Sequence, residues 1–158
     1  MLQPMTVADL DAVFALENSA YAFPWTRGNF IDSLAAGHPA LLLKSGGDVL
    51  LGYFVALLGV DEVHLLNITV APAAQRRGHA RFLLGALVEL ARTHGAVQLW
   101  LEVRQSNGGA RAMYERLGFL PVGVRKGYYP AGFGRRENAV VMSLQIGPVA
   151  GEGGNALA

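Results

Sequence analysis

The chain has 158 residues, of which 52% are hydrophobic and 16% are charged, so the composition predicts one folded domain and excludes disorder along the whole chain. A net charge of +1 lacks the overall basic field of nucleic-acid-binding proteins, and we expect no direct binding of nucleic acid. The absence of cysteine excludes a disulfide framework, a thiolate metal site and a cysteine nucleophile.

Two further features predict a soluble, cytoplasmic protein with no membrane partner. The longest apolar run covers residues 49–60 and is too short to cross a bilayer. The first residues include early acidic side chains and lack the charged-then-apolar pattern of a signal peptide.

The first half of the chain carries the patterns of two helices followed by three strands. Thr6 is followed three residues later by Asp9, which is the spacing of a helix N-cap and its capping partner. The aromatic segment Tyr21–Trp25 contains a proline and predicts a loop between the two helices. The predicted elements are an edge strand at 2–5, helices from 7 to about 19 and from 27 to about 36, and strands at 40–44, 49–58 and 63–70.

The second half alternates helices and strands. An apolar stripe at helical spacing predicts a long helix from Gly78 to His94, which Gly95 ends as a C-cap. The strand before this helix and the strand after it, at 97–103, are expected to pair in parallel across a right-handed crossover. The remaining predictions are a helix at 107–117, strands at 120–126 and 138–145 with a connection at 127–137, a domain of residues 1–146, and a mobile Gly- and Ala-rich tail at 147–158.

A basic, glycine-containing turn at residues 75–80 stands between a predicted strand and the N-terminus of the long helix. The first N–H groups of a helix have no intrahelical partner and the helix dipole is positive there, so such a turn suits a phosphate group. Gly78 lets a ligand approach the backbone closely. The turn fits neither the nucleoside-triphosphate motif nor the dinucleotide motif, and from the residues alone an ordinary solvated helix start explains it equally well.

Several short motifs follow one another in the order and spacing of one known family. They are Leu66–Val70, Gln75–Ala80, Leu99–Arg104, Ser106–Asn107, Met113–Phe119 and Gly127–Pro130. Together they resemble the GNAT family of N-acetyltransferases over about residues 2–145. The resemblance implies an α/β (α+β) fold with a central mixed, mostly antiparallel sheet, one splayed parallel strand pair and about four helices.

The resemblance also implies acetyl-CoA as the co-substrate, bound without a metal ion. In this family the pyrophosphate lies on the basic turn, and backbone N–H groups of the preceding strand bind the pantetheine and the thioester oxygen. Asn107 would contact the same molecule, in addition to the N-cap role that its position predicts. The implied cofactor-binding residues are Ile68, Thr69, Val70, Arg76, Arg77, Gly78, His79, Ala80, Arg81 and Asn107.

Glu102 and Tyr114 are the implied catalytic residues. A carboxylate at the C-terminal end of an apolar parallel strand can accept the proton of an attacking amine, although a glutamate in solvent or paired with Arg104 is the simpler interpretation without the resemblance. Tyr114 matches the family tyrosine that protonates the departing thiolate. From its position on the apolar face of a helix alone, Tyr114 is more simply a core residue.

No histidine is assigned to catalysis or to a metal. His79 lies in the basic turn and is interpreted as loop surface. The other three histidines, at positions 38, 64 and 94, are dispersed along the sequence.

The acceptor is predicted to be the N-terminus of a protein. Ala22–Trp25 resembles a bacterial subgroup of the family that acetylates the N-terminal alanine of a small-subunit ribosomal protein. Without a cysteine for an acyl-enzyme, we expect direct transfer in a ternary complex. The aromatic loop and Tyr128–Pro130 would wall a groove for an extended peptide. The alternatives that remain open are acetylation of lysine side chains or of a small amine, and a non-catalytic acyl-CoA-binding regulator.

Overall fold

The computed structural model describes residues 1–147, so the predicted mobile tail lies outside the described residues apart from Gly147. The strands are β1 (Leu2–Pro4), β2 (Ala40–Lys44), β3 (Leu50–Leu58), β4 (Glu62–Val70), β5 (Gln98–Arg104), β6 (Leu120–Gly132) and β7 (Arg135–Gln145). The α-helices are α1 (Leu10–Ala20), α2 (Arg27–Ala35), α3 (His79–Thr93) and α4 (Gly108–Arg116), with short 3₁₀ turns at Val7–Asp9 and Pro72–Ala74. Within residues 1–147, none of the helices has the length and apolar character needed to cross a membrane.

Hydrogen bonds order the strands β1-β2-β3-β4-β5-β7-β6 in a seven-stranded sheet. β4 and β5 pair in parallel, with Glu62 opposite Gln98 and His64 opposite Trp100. The pairs β1–β2, β2–β3, β5–β7 and β6–β7 are antiparallel. The predicted fold class, a mixed and mostly antiparallel sheet with one parallel pair and about four helices, is confirmed.

The chain forms two compact units. The first comprises Met1–Leu58 and Leu65–Glu89, and the second comprises Gly59–His64 and the chain from Leu90 onward. β4 and α3 each contribute residues to both units. The basic turn therefore belongs to the first unit, whereas Glu102, Asn107 and Tyr114 belong to the second.

Local end signals place the helices close to their predicted positions. The backbone N–H and the hydroxyl of Thr6 lie 2.8 and 3.0 Å from Asp9 Oδ2, directly ahead of α1. Gly95 follows α3 with a φ of 79°, a left-handed conformation that favours glycine. Asn107 accepts the N–H of Ala110 at 3.1 Å, which confirms Asn107 as the N-cap of α4.

The predicted connection at 127–137 is wrong, because most of it continues a long β6–β7 hairpin. Tyr129 pairs with Glu137 and Gly132 pairs with Arg135, which leaves only Phe133 and Gly134 as the turn. The strand bulges between Arg125 and Tyr129. β6 is the last strand of the sheet, and an edge strand tolerates the glycine and proline residues that make this segment look like a loop.

A buried carboxylate, Glu17 on α1, organises the polar interior of the first unit. Its side chain is 2% exposed and accepts hydrogen bonds from the Tyr53 hydroxyl at 2.6 Å, Asn67 Nδ2 at 3.0 Å and the Trp25 backbone N–H at 2.8 Å. Burial and the negative charge of Glu17 raise the pKa of Tyr53, so this hydroxyl remains a donor. The carboxylate therefore ties α1 to β3, to β4 and to the aromatic loop.

Replacing Glu17 by alanine should lower the free energy of unfolding by roughly 3–5 kcal/mol, because two buried donors and one partly buried donor lose their acceptor at once. Urea unfolding followed by circular dichroism measures this loss. Glu115→Ala, on the exposed surface of α4, is the matched control and should change the stability by less than about 0.5 kcal/mol. A loss below about 1 kcal/mol for Glu17→Ala would contradict the assigned role, since a single unsatisfied buried donor costs that much.

Candidate active site

Strand alternation sets the face of β5 that carries the candidate base. Leu99, Leu101 and Val103 are buried in the core, so the residues between them project from the opposite face. These are Trp100, Glu102 and Arg104. Because His64 on β4 lies opposite Trp100 in the parallel register, a histidine stands beside this face.

Glu102 and His64 form a close and largely buried contact. His64 Nε2 lies 2.7 Å from both carboxylate oxygens, and the two side chains are 15% (His64) and 4% (Glu102) exposed. An ionised carboxylate only accepts hydrogen bonds, so the hydrogen of this contact belongs to Nε2. The imidazole also stacks on Trp100, with ring centroids 3.6 Å apart and planes 6° apart. Ring stacking and the hydrogen bonds together fix the orientation of His64.

This contact corrects two interpretations of the sequence. Glu102 neither faces solvent nor pairs with Arg104, whose guanidinium lies 3.0 Å from Glu137 instead. His64 does not stand apart from the site, although it is 38 positions from Glu102 in the sequence. The parallel pairing of β4 with β5 brings the two residues together, and a sequence pattern along one strand does not reveal it.

Tyr128 on β6 is a tyrosine whose ionisation is affected by the negative charge of Glu102. Burial first and then this charge raise the pKa of Tyr128, so its hydroxyl keeps its proton. The same two causes raise the pKa of Tyr129. The guanidinium of Arg125 lies 5.2 Å from the centre of the Tyr128 ring and 5.8 Å from that of Trp100. Arg125 therefore lies close to the rings of both Tyr128 and Trp100.

Internal polar contacts brace the hairpin that carries Tyr128. Arg104 donates to Glu137 at 3.0 Å, and the backbone N–H of Ser106 donates to the same carboxylate at 2.7 Å. These hydrogen bonds, from Ser106 first and from Arg104, hold the pKa of Glu137 below its usual range. Arg136 donates to the backbone carbonyl of Tyr128 at 3.0 Å. The charged residues of the hairpin thus hold the strand that presents Tyr128.

Tyr114 lies on the buried face of α4. Its side chain is 6% exposed, and its ring meets Phe119 with centroids 5.4 Å apart and planes inclined by 61°. This packing is what we expect if Tyr114 is a core residue. The catalytic role implied by the family resemblance depends on the hydroxyl group, which this packing does not involve. The general-acid role of Tyr114 therefore stays a prediction.

The C-terminal end of β4, in the first unit, carries Ile68, Thr69 and Val70. The Thr69 hydroxyl donates to Asn67 Oδ1 at 2.8 Å, and the Tyr21 hydroxyl lies 2.8 Å from both the Thr69 hydroxyl and the Ile68 carbonyl. Burial raises the pKa of Tyr21 to about 12, so this group stays protonated. The Thr69 side chain is engaged in the interior, and a ligand contact by this residue would use its backbone.

The basic turn opens α3, which begins at His79. Arg76 and Gly78 have φ values of 64° and 81°, and a left-handed arginine costs about 1 kcal/mol. Arg76, Arg77 and Arg81 are exposed, and none of them forms an ion pair within residues 1–147. Three cationic side chains without ionic partners beside a helix N-terminus form a surface suited to an anion.

The structure adds His64 to the candidate site. The sequence alone gives no signal for His64, because its contact with Glu102 follows from the pairing of residue 64 with residue 100. Tyr128 was already expected to line the peptide groove, and the structure places it on a strand and not in a loop. Over the same described part of the chain, no group of three His, Asp or Glu side chains is placed to hold a metal ion.

Comparisons with known proteins identify the family. The model of the acetyltransferase (GNAT) family matches residues 10–119. A [ribosomal protein bS18]-alanine N-acetyltransferase from Salmonella typhimurium is 41% identical, over 90% of this chain and 95% of its own length. The crystal structure of the ribosomal-protein-alanine N-acetyltransferase from Escherichia coli has a TM-score of 0.86 at 35% identity, and the match covers 95% of this chain and 96% of that chain.

A third structure shares the fold. It is that of YncA from Salmonella typhimurium with its cofactor acetyl-CoA, which has a TM-score of 0.77 at 22% identity and covers 95% of each chain. On the family model and on the relative that is 41% identical, the chain belongs to the acetyltransferase (GNAT) family.

Proposed function

We propose that this enzyme acetylates the N-terminal alanine of ribosomal protein bS18, with acetyl-CoA as the donor and direct transfer in one ternary complex. The observation that carries the proposal is the buried carboxylate of Glu102, held by His64, in a chain that aligns along almost its full length with relatives named for this reaction. We place the reaction in the cytoplasm, where ribosomal proteins are made.

The proposed reaction forms an amide bond to the peptide nitrogen and breaks the C–S bond of the thioester. An α-amino group has a pKa near 8, so it attacks in its neutral form and must lose a further proton as the C–N bond forms. Glu102 is the base of this step, acting directly or through a neighbouring group. The Tyr114 hydroxyl donates a proton to the departing thiolate. Positioning of both reactants in one complex supplies a large part of the rate.

Acetyl-CoA supplies the acetyl group in activated form. The basic turn at 76–81 would hold its pyrophosphate, through three arginine side chains and the first N–H groups of α3. Backbone N–H groups of Ile68 and Val70 would bind the pantetheine and the thioester oxygen, and Asn107 would add a polar contact. Each of these residues has a backbone or side-chain donor of the required kind.

Exposed aromatic side chains support the proposal that the acetyl acceptor is a peptide. Phe23 in the aromatic loop is 44% exposed and Tyr128 is 40% exposed, and such rings offer apolar and hydrogen-bonding area to a peptide. A small first residue, such as alanine, leaves the α-amine accessible to Glu102. Lysine acetylation, small-amine acetylation and non-catalytic binding of acyl-CoA are the alternatives that the substrate experiment separates.

Changing Gly78 to valine should remove most of the thermal stabilisation that acetyl-CoA gives the parent enzyme. Gly78 has a φ of 81°, which a β-branched residue adopts only with strain, and the added side chain covers the backbone that a phosphate would approach. Thermal denaturation with and without acetyl-CoA measures the shift. Gly85→Ala, where an added Cβ meets nothing within 4 Å, is the control and should keep the full shift. A full shift in Gly78→Val would mean that the turn is an ordinary helix start.

Glu102→Gln should lower kcat by roughly 10²-fold or more, because the amide cannot take up the amine proton. The loss should shrink as the pH rises, since hydroxide then increasingly replaces the missing base as acceptor of that proton. Steady-state kinetics across a pH series measure both effects, with acetyl-CoA affinity expected to stay near the parent value. Glu62→Gln, at an exposed carboxylate of the same unit, should behave as the parent. Equal losses in the two variants would remove Glu102 from the mechanism.

Tyr114→Phe keeps the packing against Phe119 and removes only the hydroxyl. The melting temperature and acetyl-CoA affinity should therefore survive, whereas kcat should fall by at least about 10-fold through loss of the proton donor. Release of free CoA, followed with a thiol reagent, measures the rate. If this variant is as active as the parent, Tyr114 is only a core residue and water protonates the departing thiolate.

A peptide with the N-terminal sequence of bS18 should be acetylated once, on its α-amine, as mass spectrometry of the product would show. The same peptide with a blocked N-terminus and one added internal lysine should react far more slowly, and so should spermidine. Faster reaction of either control would contradict the ribosomal assignment and leave an acetyltransferase of another substrate class. Binding of acetyl-CoA without transfer to any of the three would favour the regulator.

A further inference from the structure

Glu102 acting alone does not account for the arrangement of His64. Both carboxylate oxygens already lie 2.7 Å from His64 Nε2, and the Glu102 side chain is only 4% exposed. The His64 side chain is 15% exposed. Both hydrogen bonds to Glu102 use Nε2, so Nδ1 is the ring nitrogen that the carboxylate does not engage. In a neutral imidazole with its hydrogen on Nε2, the basic lone pair lies on Nδ1.

We propose that His64 and Glu102 act as one proton-accepting pair, in which Nδ1 of His64 takes the proton of the acceptor amine and Glu102 stabilises the resulting imidazolium. This inference rests on the proposed function, because it assigns a role within the same acetylation. The logic is that of a hydrolase triad, in which a buried carboxylate holds an imidazole that moves the proton. An imidazole titrates nearer to neutral pH than a carboxyl group does, which suits it to accept a proton there.

The protons and bonds balance over one turnover. As the C–N bond forms, the amine proton moves to His64 Nδ1, and the Nε2–H of the imidazolium remains bonded to Glu102. As the C–S bond breaks, the thiolate takes a proton from Tyr114. His64 then releases its proton to solvent and Tyr114 takes one up, so both residues return to their starting states.

The charges around His64 in the second unit favour this role. The carboxylate of Glu102 is in direct contact at 2.7 Å, whereas the guanidinium of Arg125 lies 5.8 Å from the centre of the Trp100 ring. Arg104 is paired with Glu137, and the Tyr128 and Tyr129 hydroxyls remain neutral because their pKa values are raised. The stack on Trp100 fixes the ring, so protonation requires no movement of the imidazole.

Two substitutions separate proton acceptance from simple hydrogen bonding. His64→Gln keeps an N–H donor at a similar reach and lacks a basic nitrogen, whereas His64→Ala lacks both. We expect kcat on the alanine peptide to fall by about 10²-fold in each, with the melting temperature and acetyl-CoA affinity near those of the parent. His94→Ala, at an exposed histidine after α3, is the control and should match the parent.

Chemical rescue of His64→Ala distinguishes a proton-accepting role of His64 from a purely structural one, because only the former depends on the basicity of the added compound. Added imidazole should restore part of the activity, whereas pyrazole, which has the same size and far lower basicity, should not. Parent-like turnover by His64→Gln would overturn the proposal, because a donor alone would then suffice. Rescue by neither compound, or by both equally, would also overturn it.

Nitrogen-15 NMR of the parent enzyme decides the proposal even if a His64 variant fails to fold. The proposal requires the neutral tautomer of His64 with hydrogen on Nε2 and a lone pair on Nδ1, and the opposite tautomer would overturn it. The proposed function and the role of His64 can fail independently. If the parent enzyme acetylates no N-terminal peptide, the proposed function is wrong. If the parent acetylates the peptide and His64→Gln is fully active, only the proton-accepting role of His64 is wrong.

Discussion

The burial of Glu102 against His64 is the contact on which the rest of the site depends. A carboxylate whose side chain is 4% exposed is costly unless protein donors replace its water. β4 supplies such a donor through His64, and the charge of Glu102 helps to raise the pKa of Tyr128 on the β6–β7 hairpin. A slip of one residue in the pairing of β4 with β5 would turn His64 to the other face of the sheet. The sheet register and the chemistry of the site are therefore set by the same hydrogen bonds.

Glu17 in the first unit and Glu102 in the second both hold their carboxylates away from solvent, and their hydrogen-bond partners distinguish the two. Glu17 receives hydrogen bonds from a tyrosine, an asparagine amide and a backbone N–H, none of which changes its protonation state near neutral pH. Glu102 receives one from a histidine, whose second ring nitrogen is not engaged by the carboxylate. The first arrangement holds the fold together, and the second is the one that we propose moves a proton.

The periodicity of the sequence predicted almost every helix and strand to within two residues, because local signals such as the Asn107 cap and Gly95 act over a few positions. It did not predict the strand at 127–132, where glycine and proline residues lie on an edge strand that tolerates them. It placed Glu102 at a strand end and did not find His64, since that contact arises from pairing between distant segments. The same local patterns do not distinguish a buried structural glutamate, such as Glu17, from one that does chemistry.

A crystal structure of the enzyme with a conjugate that links a peptide α-nitrogen to CoA through an acetyl group tests the central claim most directly. The claim is that the amine proton passes to the His64–Glu102 pair. The account predicts that the peptide nitrogen lies about 2.6–3.2 Å from His64 Nδ1, or reaches it through one water, with the Tyr114 hydroxyl facing the sulfur. A peptide nitrogen that contacts neither His64 nor Glu102, directly or through one water, would contradict it.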